Sequence, residues 1–281
     1  MSSSNAEMLS SPTSLSSFTS DKQESDILKK SIAMMASDAF RGNAQQWDRE
    51  ALIEMANSLG GPRMQLIHST VIEELGRIPR SSEGYAQDAI ELVANHAEVF
   101  FFSHQWLRPN PENPKKSHPD SADNIKAKVL IEFVKWRRSW VTFHHGFFPN
   151  ICFWIDYCCH DQDNLELGFS LLPIWTACCE RFLRFETPTY HSRVWCRLEP
   201  LLSAKFSYAD HHVVIHANYK NQWPDIGRTS ESLLLDPREG HLTDPRDAAK
   251  LQPLVSLAVD SSSHGTRPIH LGKTTIKTIL L

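Results

Sequence analysis

The chain has 281 residues, 41% of them hydrophobic and 22% charged, which is ordinary for a globular protein with a real core in one large domain or two modest ones. With 29 basic against 33 acidic residues the formal net charge is −4, so there is no bulk attraction for a polyanion. Nucleic acid is not expected as a partner, and the short basic cluster "VKWRRSW" at 134–140 reads as one solvated helix face.

The opening "MSSSNAEMLSSPTSLSSFTS" is rich in Ser and has no Arg, unlike a transit peptide, and it lacks the basic start and apolar block of a secretory signal. Residues 1–25 are therefore expected to be a disordered tail. No run approaches the roughly 20 apolar residues of a membrane span, so the expectation is a soluble, cytoplasmic protein with no membrane partner.

Residues 26–95 read as a helical N-terminal region. In "DILKKSIAMMASDAF" Ile27, Ile32 and Met35 recur near one face, and in "DREALIEMANSLG" Leu52, Ile53, Met55 and Leu59 do the same before Gly60 and Gly61. A third helical pattern, "MQLIHSTVIEELG", closes at Gly76.

From 96 to 220 the texture changes. "AEVFFFSHQW" is an unbroken apolar run ending in polar residues, the pattern of a strand buried on both faces, and the prolines of "RPNPENPKKSHPDSAD" make the next stretch a loop. "NIKAKVLIEFVKWRRSW" supplies an amphipathic helix and "NICFWIDYCCHDQDN" a second buried strand ending in acids. "LGFSLLPIWTACC" is a helix interrupted early by Pro173, "ERFLRFE" a third strand, "SRVWCRLE" a helix with Ser192 as N-cap, and "HHVVIHANY" a fourth strand. This alternation predicts an α/β fold, an open parallel sheet flanked by helices. The remainder, 221–281, is a C-terminal extension with two Asp-Pro-Arg steps, in which Thr243 or Asp244 can cap a helix that has Pro245 in its first turn.

All six cysteines, Cys152, Cys158, Cys159, Cys178, Cys179 and Cys196, fall in one window, with no export signal and no CxxC pair. They read as reduced, buried packing residues, and no metal site is expected.

Three of the strands end in polar clusters: Ser103, His104, Gln105 and Trp106 after the first, Asp156, Asp161 and Asp163 after the second, Thr187, Tyr190, Trp195 and Glu199 after the third. In a parallel sheet those ends share the carboxyl edge, where open α/β folds gather their ligands.

The same segments resemble a known family. "EVFFFSHQW" looks like the first strand of a TIR (Toll/interleukin-1 receptor) domain, and "CFWIDYCCHDQDNLELG" like its second strand and the loop that follows. "LPIWTACCERFLRFETPTYHSRVWCRLE" is similar to the stretch that ends in the family's W-C-x-x-E signature. "WIDYCCHDQ" followed by "LPIWTACC" also resembles the fungal heterokaryon-incompatibility domain. The resemblance covers about 97–216 and implies a TIR-like, flavodoxin-like sheet. It also implies NAD glycohydrolase activity in a stress or immune-like signalling pathway, with NAD as substrate and no other cofactor, and self-association through the domain. Glu199 would be the catalytic carboxylate, with Ser103, His104, Trp106, Asp156, Tyr190 and Trp195 binding substrate. The alternative is a non-catalytic TIR-like interaction module. Two residues depart from the family pattern: Pro200 stands where Leu is usual and is expected to kink or end the helix, and His104-Gln105 replaces an aromatic-basic pair. Glu199, at a sheet edge, is expected to contribute little to stability.

Overall fold

The computed structural model describes residues 15–46, 48–110, 112–113, 116–163, 166–206, 212–216, 234–242 and 247–259. In chain order the N-terminal part holds α1 (Leu15–Met35), α2 (Asp38–Gln46), α3 (Arg49–Asn57), β1 (Gln65–His68), α4 (Ser69–Leu75), β2 (Gln87–Asp88) and α5 (Ala89–Ala94). There follow β3 (Ala97–His104), α6 (Ile125–His145), β4 (Asn150–Trp154), α7 (Asp156–Cys159), α8 (Glu166–Phe169) and α9 (Leu172–Cys178). The chain continues with β5 (Arg181–Glu186), α10 (Val194–Phe206), β6 (His212–His216) and α11 (Asp247–Val259).

The strands form one six-stranded sheet in the order β2-β1-β4-β3-β5-β6. β4, β3, β5 and β6 run parallel, while β1 pairs antiparallel with both β4 and β2. The sheet is therefore mixed but mostly parallel, an α/β fold, and "VFFFS" and "CFWID" are direct neighbours in it.

Registered neighbours share a face. On one face Phe101 of β3 stacks between Trp154 of β4 and Phe182 of β5, with ring centroids 4.7 and 5.3 Å apart. Trp154 in turn meets Trp175 of α9. On the other face Phe100 meets Phe133 of α6 edge-on at 5.1 Å. Both faces are thus covered, which is why β3 reads as an unbroken apolar run: every residue from Val99 to His104 is buried.

The N-terminal region differs from expectation in two respects. The Ser-rich segment enters α1 at Leu15, so residues 15–25 are helical; residues 1–14 lie outside the described residues. Helical spacing explains this, because Glu24, Ile27, Ser31 and Met35 lie on one face and are all buried. The second difference concerns "MQLIHSTVIEELG", which is a strand and then a helix. Leu66 and Ile67 are both fully buried in β1, and His68 then caps α4, its Nδ1 accepting from the Thr70 N–H. Two apolar residues between Gln65 and His68 carry no decisive period, and pairing with β4 and β2 determines their conformation. Residues 26–95 are therefore not purely helical, and they extend the sheet by two antiparallel strands. Arg49 anchors this region to the rest, donating to the Ala97 carbonyl at 2.9 Å and pairing with Glu180 at 3.0 Å.

The pattern around Pro173 divides into α8 and α9, with the proline in the first turn of α9. Pro200 lies inside α10, which continues to Phe206, so the helix does not end there. Ser192 does not cap α10. Its hydroxyl donates back to the Thr189 carbonyl at 2.6 Å, inside the 3-10 turn Tyr190–Ser192. The amide of Val194 instead finds the His241 carbonyl of the C-terminal extension at 3.2 Å, and the His241 amide returns to the Ser192 carbonyl at 2.7 Å. That extension packs along α10, where Lys205 donates to the Leu257 and Ala258 carbonyls near the end of α11. The expected cap at Thr243 or Asp244 lies outside the described residues.

All six cysteines are buried free thiols; Cys159 and Cys179 donate to the carbonyls of Phe153 and Trp175. Among the described residues no helix is long and apolar enough to cross a membrane.

Candidate functional site

The parallel register brings the ends of β3, β4 and β5 to one edge, with Ser103 opposite Arg184 and Phe101 opposite Trp154. Ser103 lies on the face covered by α10. Its hydroxyl donates to the Glu199 carboxyl and stands 2.6 Å from the Tyr190 hydroxyl. Because the serine proton is committed to Glu199, Tyr190 donates, giving a chain from Tyr190 through Ser103 to Glu199. Tyr190 is fully buried, and that burial pushes its pKa well above the usual value.

A second group lies beside the first. Trp106 Nε1–H donates to Asp156 Oδ2 at 2.8 Å, and His104 Nε2 stands 3.4 Å from Asp156 Oδ1. Burial, reinforced by the positive charge of Lys126, holds the His104 pKa well below its ordinary value, so the ring is neutral and the contact is not an ion pair. Asp156 is pushed upward by desolvation, against the Trp106 hydrogen bond and the charge of Lys126.

Glu199 is half-buried. Desolvation raises its pKa to about 8; the Ser103 hydroxyl opposes the shift and the negative charge of Asp156 adds to it. At pH 7 the resting side chain therefore carries a proton most of the time, although it sits among groups built to favour its anion. The charge of Asp156 thus reaches Glu199, as a nearby like charge does where solvent is scarce.

Trp195 lies four residues before Glu199, hence on the same face of α10, and stacks on Phe169 of α8 with centroids 5.2 Å apart. Phe169 packs edge-on against the buried His160. The structure thus unites Ser103, Tyr190 and Glu199 in one hydrogen-bonded set and His104, Trp106 and Asp156 in another, with Trp195 along the wall. Asp161 and Asp163 stand apart: Asp163 pairs with Arg80 at 2.9 Å, and Asp161 accepts from the Asp163 amide.

Several residues outside the set expected to bind substrate hold this arrangement. Gln105 Oε1 accepts from the hydroxyls of Thr187 and Thr189 at 3.0 and 2.9 Å, tying the loop after β3 to the loop after β5. Lys126 is fully buried and donates to the carbonyls of Gln105 and Pro119, both at 2.5 Å; burial lowers its pKa to about 7. The sequence held a signal for Lys126, since it falls in the apolar stripe with Val129, Leu130 and Phe133. Arg184, fully buried on the same face as Ser103, stands 3.4 Å from Glu186, and His191 approaches the same carboxylate at 3.3 Å. No signal marked Arg184 within "ERFLRFE", where it reads as the polar member of an alternating strand.

Among the described residues no group of three or more His, Cys, Asp or Glu could hold a metal ion. The fold and this edge define an α/β protein with a candidate ligand site whose central group is a desolvated carboxyl beside a serine, a tyrosine and two tryptophans. Compared with protein-family models, curated proteins and solved structures, the chain matches none.

Proposed function

We propose that this protein is a TIR-like NAD glycohydrolase, with Glu199 as the catalytic carboxylate and NAD as substrate, acting in a cytoplasmic stress or immune-like signal. The order β4-β3-β5-β6 supports a flavodoxin-like arrangement, in which the second strand lies on one side of the first and the third and fourth on the other. The observation that carries the reading is Glu199 itself: a desolvated carboxyl at the carboxyl edge of β3, bonded to Ser103 and one helical turn from Trp195.

The chemistry asks for little more. The bond from ribose to nicotinamide breaks, its electron pair leaves with the pyridine nitrogen and neutralises it, and water adds to the ribose carbon with loss of a proton. The transition state is oxocarbenium-like, so one positioned carboxylate stabilises the charge, and the cationic leaving group needs no general acid. A cationic pyridinium entering the poorly solvated pocket also favours the ionised form of Glu199. Trp106 and Trp195 offer aromatic walls for the ring, and Asp156 a hydrogen-bond acceptor for hydroxyls.

One observation favours a second reading, a non-catalytic interaction module. The first amides of α6, which an open α/β fold commonly offers to a phosphate, are taken by Asp120, whose Oδ1 accepts from Lys126 and Oδ2 from Ala127. The two readings separate when purified protein is incubated with NAD and nicotinamide is measured by chromatography. The enzymatic reading expects release that is lost at least a hundredfold in Glu199→Gln. Absence of release from well-folded protein at high concentration favours the module.

A further inference from the structure

The far end of α6, away from this site, carries aromatic side chains that are exposed among the described residues. Phe143 is 84% exposed, Phe148 69%, Phe147 58% and Trp140 38%. Four of the six large apolar side chains exposed among the described residues thus fall within 140–148. Phe143, Trp140 and Phe147 form one surface, because ring contacts run from Phe143 to His144 at 4.9 Å, to Trp140 at 4.6 Å, to His145 at 5.5 Å and to Phe147 at 6.2 Å, and Phe148, next in the chain, packs under Arg138 at 5.0 Å. The turn that presents them is held in place: Gly146 takes the left-handed conformation at φ 74° and bonds back to Thr142, whose hydroxyl donates to the Phe147 carbonyl.

Single exposed apolar residues are commonplace, but a contiguous patch is not. The exposed fractions amount to about two and a half whole aromatic residues. That is on the order of 400 to 600 Å² at 150 to 250 Å² for each ring, the size of the largest patch on a monomer. Beside this convex cluster, and sharing Trp140 with it, is a cleft of about 400 Å³ whose mostly apolar walls are Phe100, Phe133, Trp136 and Val213, with Arg137 and Arg181, both paired with Glu98, at its sides.

Charge decides what can cover it. The basic residues of the same helix bring their own counter-ions: Arg137 is held by Glu98 at 2.6 Å, Arg138 by Glu73 at 2.8 Å and Lys135 by Glu132 at 2.7 Å. The face therefore attracts an anionic membrane or a polyanion only weakly. It offers an apolar projection and an apolar hollow on one helix, which is a self-complementary surface: under a two-fold axis each projection enters the other copy's hollow and the contact is made twice. The projection, about 400 to 600 Å², is smaller than the roughly 800 Å² per partner of a standard stable interface, which fits an association that grows with concentration.

We infer that the C-terminal half of α6 is the contact between two copies of this chain, with residues 143–148 of one seated in the Trp136–Trp140 cleft of the other. The inference does not rest on the NAD reading. Sedimentation velocity of the full chain from about 1 to 100 μM tests it. A concentration-dependent dimer is expected, weakened at least tenfold by Phe147→Ser with Phe148→Ser and likewise by Phe143→Ser, and unchanged by Tyr85→Ser, an exposed aromatic elsewhere. Circular dichroism melts, expected to be unaltered because these side chains are exposed, separate loss of contact from loss of fold. A monomer throughout the range overturns the inference, as does a dimer indifferent to the phenylalanine changes. A monomer that instead sediments with phosphatidylcholine/phosphatidylserine vesicles also overturns it.

Discussion

Glu199 combines two properties that oppose each other in stability. Its folded-state pKa, about 8, lies above the ordinary 4.5, so the folded chain keeps a proton that the unfolded chain releases between those values. Stability contributed this way is fully present below pH 4.5 and falls as pH rises toward 8. The expectation that an edge carboxylate matters little to the fold therefore needs correction, because this edge is desolvated. Glu199→Gln should raise stability by about 2 to 3 kcal/mol at pH 8 to 9 and leave it unchanged near pH 4, as read from denaturant melts at the two pH values. A variant no more stable at pH 8 than the parent contradicts the burial argument. Ser103 acts in the opposite direction, since its hydroxyl favours the Glu199 anion. Ser103→Ala should move the acidic limb of the pH profile of kcat/KM for nicotinamide release, where activity rises as Glu199 ionises, to higher pH, and a limb that stays in place removes Ser103 from the site. Lys126 is the buried tie between the two ends of the loop that joins β3 to α6. Lys126→Met leaves the Gln105 and Pro119 carbonyls without their donor and should cost about 2 kcal/mol of stability, together with most of the activity.

At the scale of elements, legibility followed the strength of each local signal. β3 and β4 stood out because strands covered on both faces need continuous apolar runs, which "VFFF" and "ICFW" supply, whereas "RFLRF" of β5 is interrupted by Arg184, whose burial no local pattern announces. β1 was hidden because four residues of Gln-Leu-Ile-His fit a helix as well as a strand, and only Phe153 and Cys152 across the sheet decide between them. The start of α10 was misjudged for a related reason. Ser192 has the chemistry of an N-cap, yet a bridge from His241, some 50 residues later, supplies the acceptor. No local pattern announces such a partner. The bridge is also tight: a Cβ on Gly240 would lie 2.7 Å from the Val194 nitrogen and 2.8 Å from its Cα, both backbone atoms that cannot give way. Gly240→Ala should therefore cost about 1 to 3 kcal/mol and, by displacing the helix that carries Glu199, lower activity as well. Full stability and full activity in that variant would show that the C-terminal extension does not position α10.

For the whole molecule, the sequence pattern anticipated the convergence of three strand ends on one edge, because a parallel sheet puts them there whatever their spacing in the chain. It did not reveal which groups would pair, since Trp106 with Asp156 and Ser103 with Glu199 are separated by 50 and 96 residues. Nor did it reveal the sheet's antiparallel margin or the aromatic end of α6, which extends five residues past the expected helix end at Trp140. These features give the molecule two separate surfaces: a carboxyl edge with a desolvated acid, and a helix end suited to a second copy.

The account's central claim is that Glu199 performs chemistry on NAD. The most direct measurement is nicotinamide released from NAD at pH 8 by the parent protein and by Glu199→Gln, both confirmed as folded and assayed over the same range of protein concentration. The account predicts release by the parent and a loss of at least a hundredfold in the variant; equal release by both, or none by the parent, would contradict it.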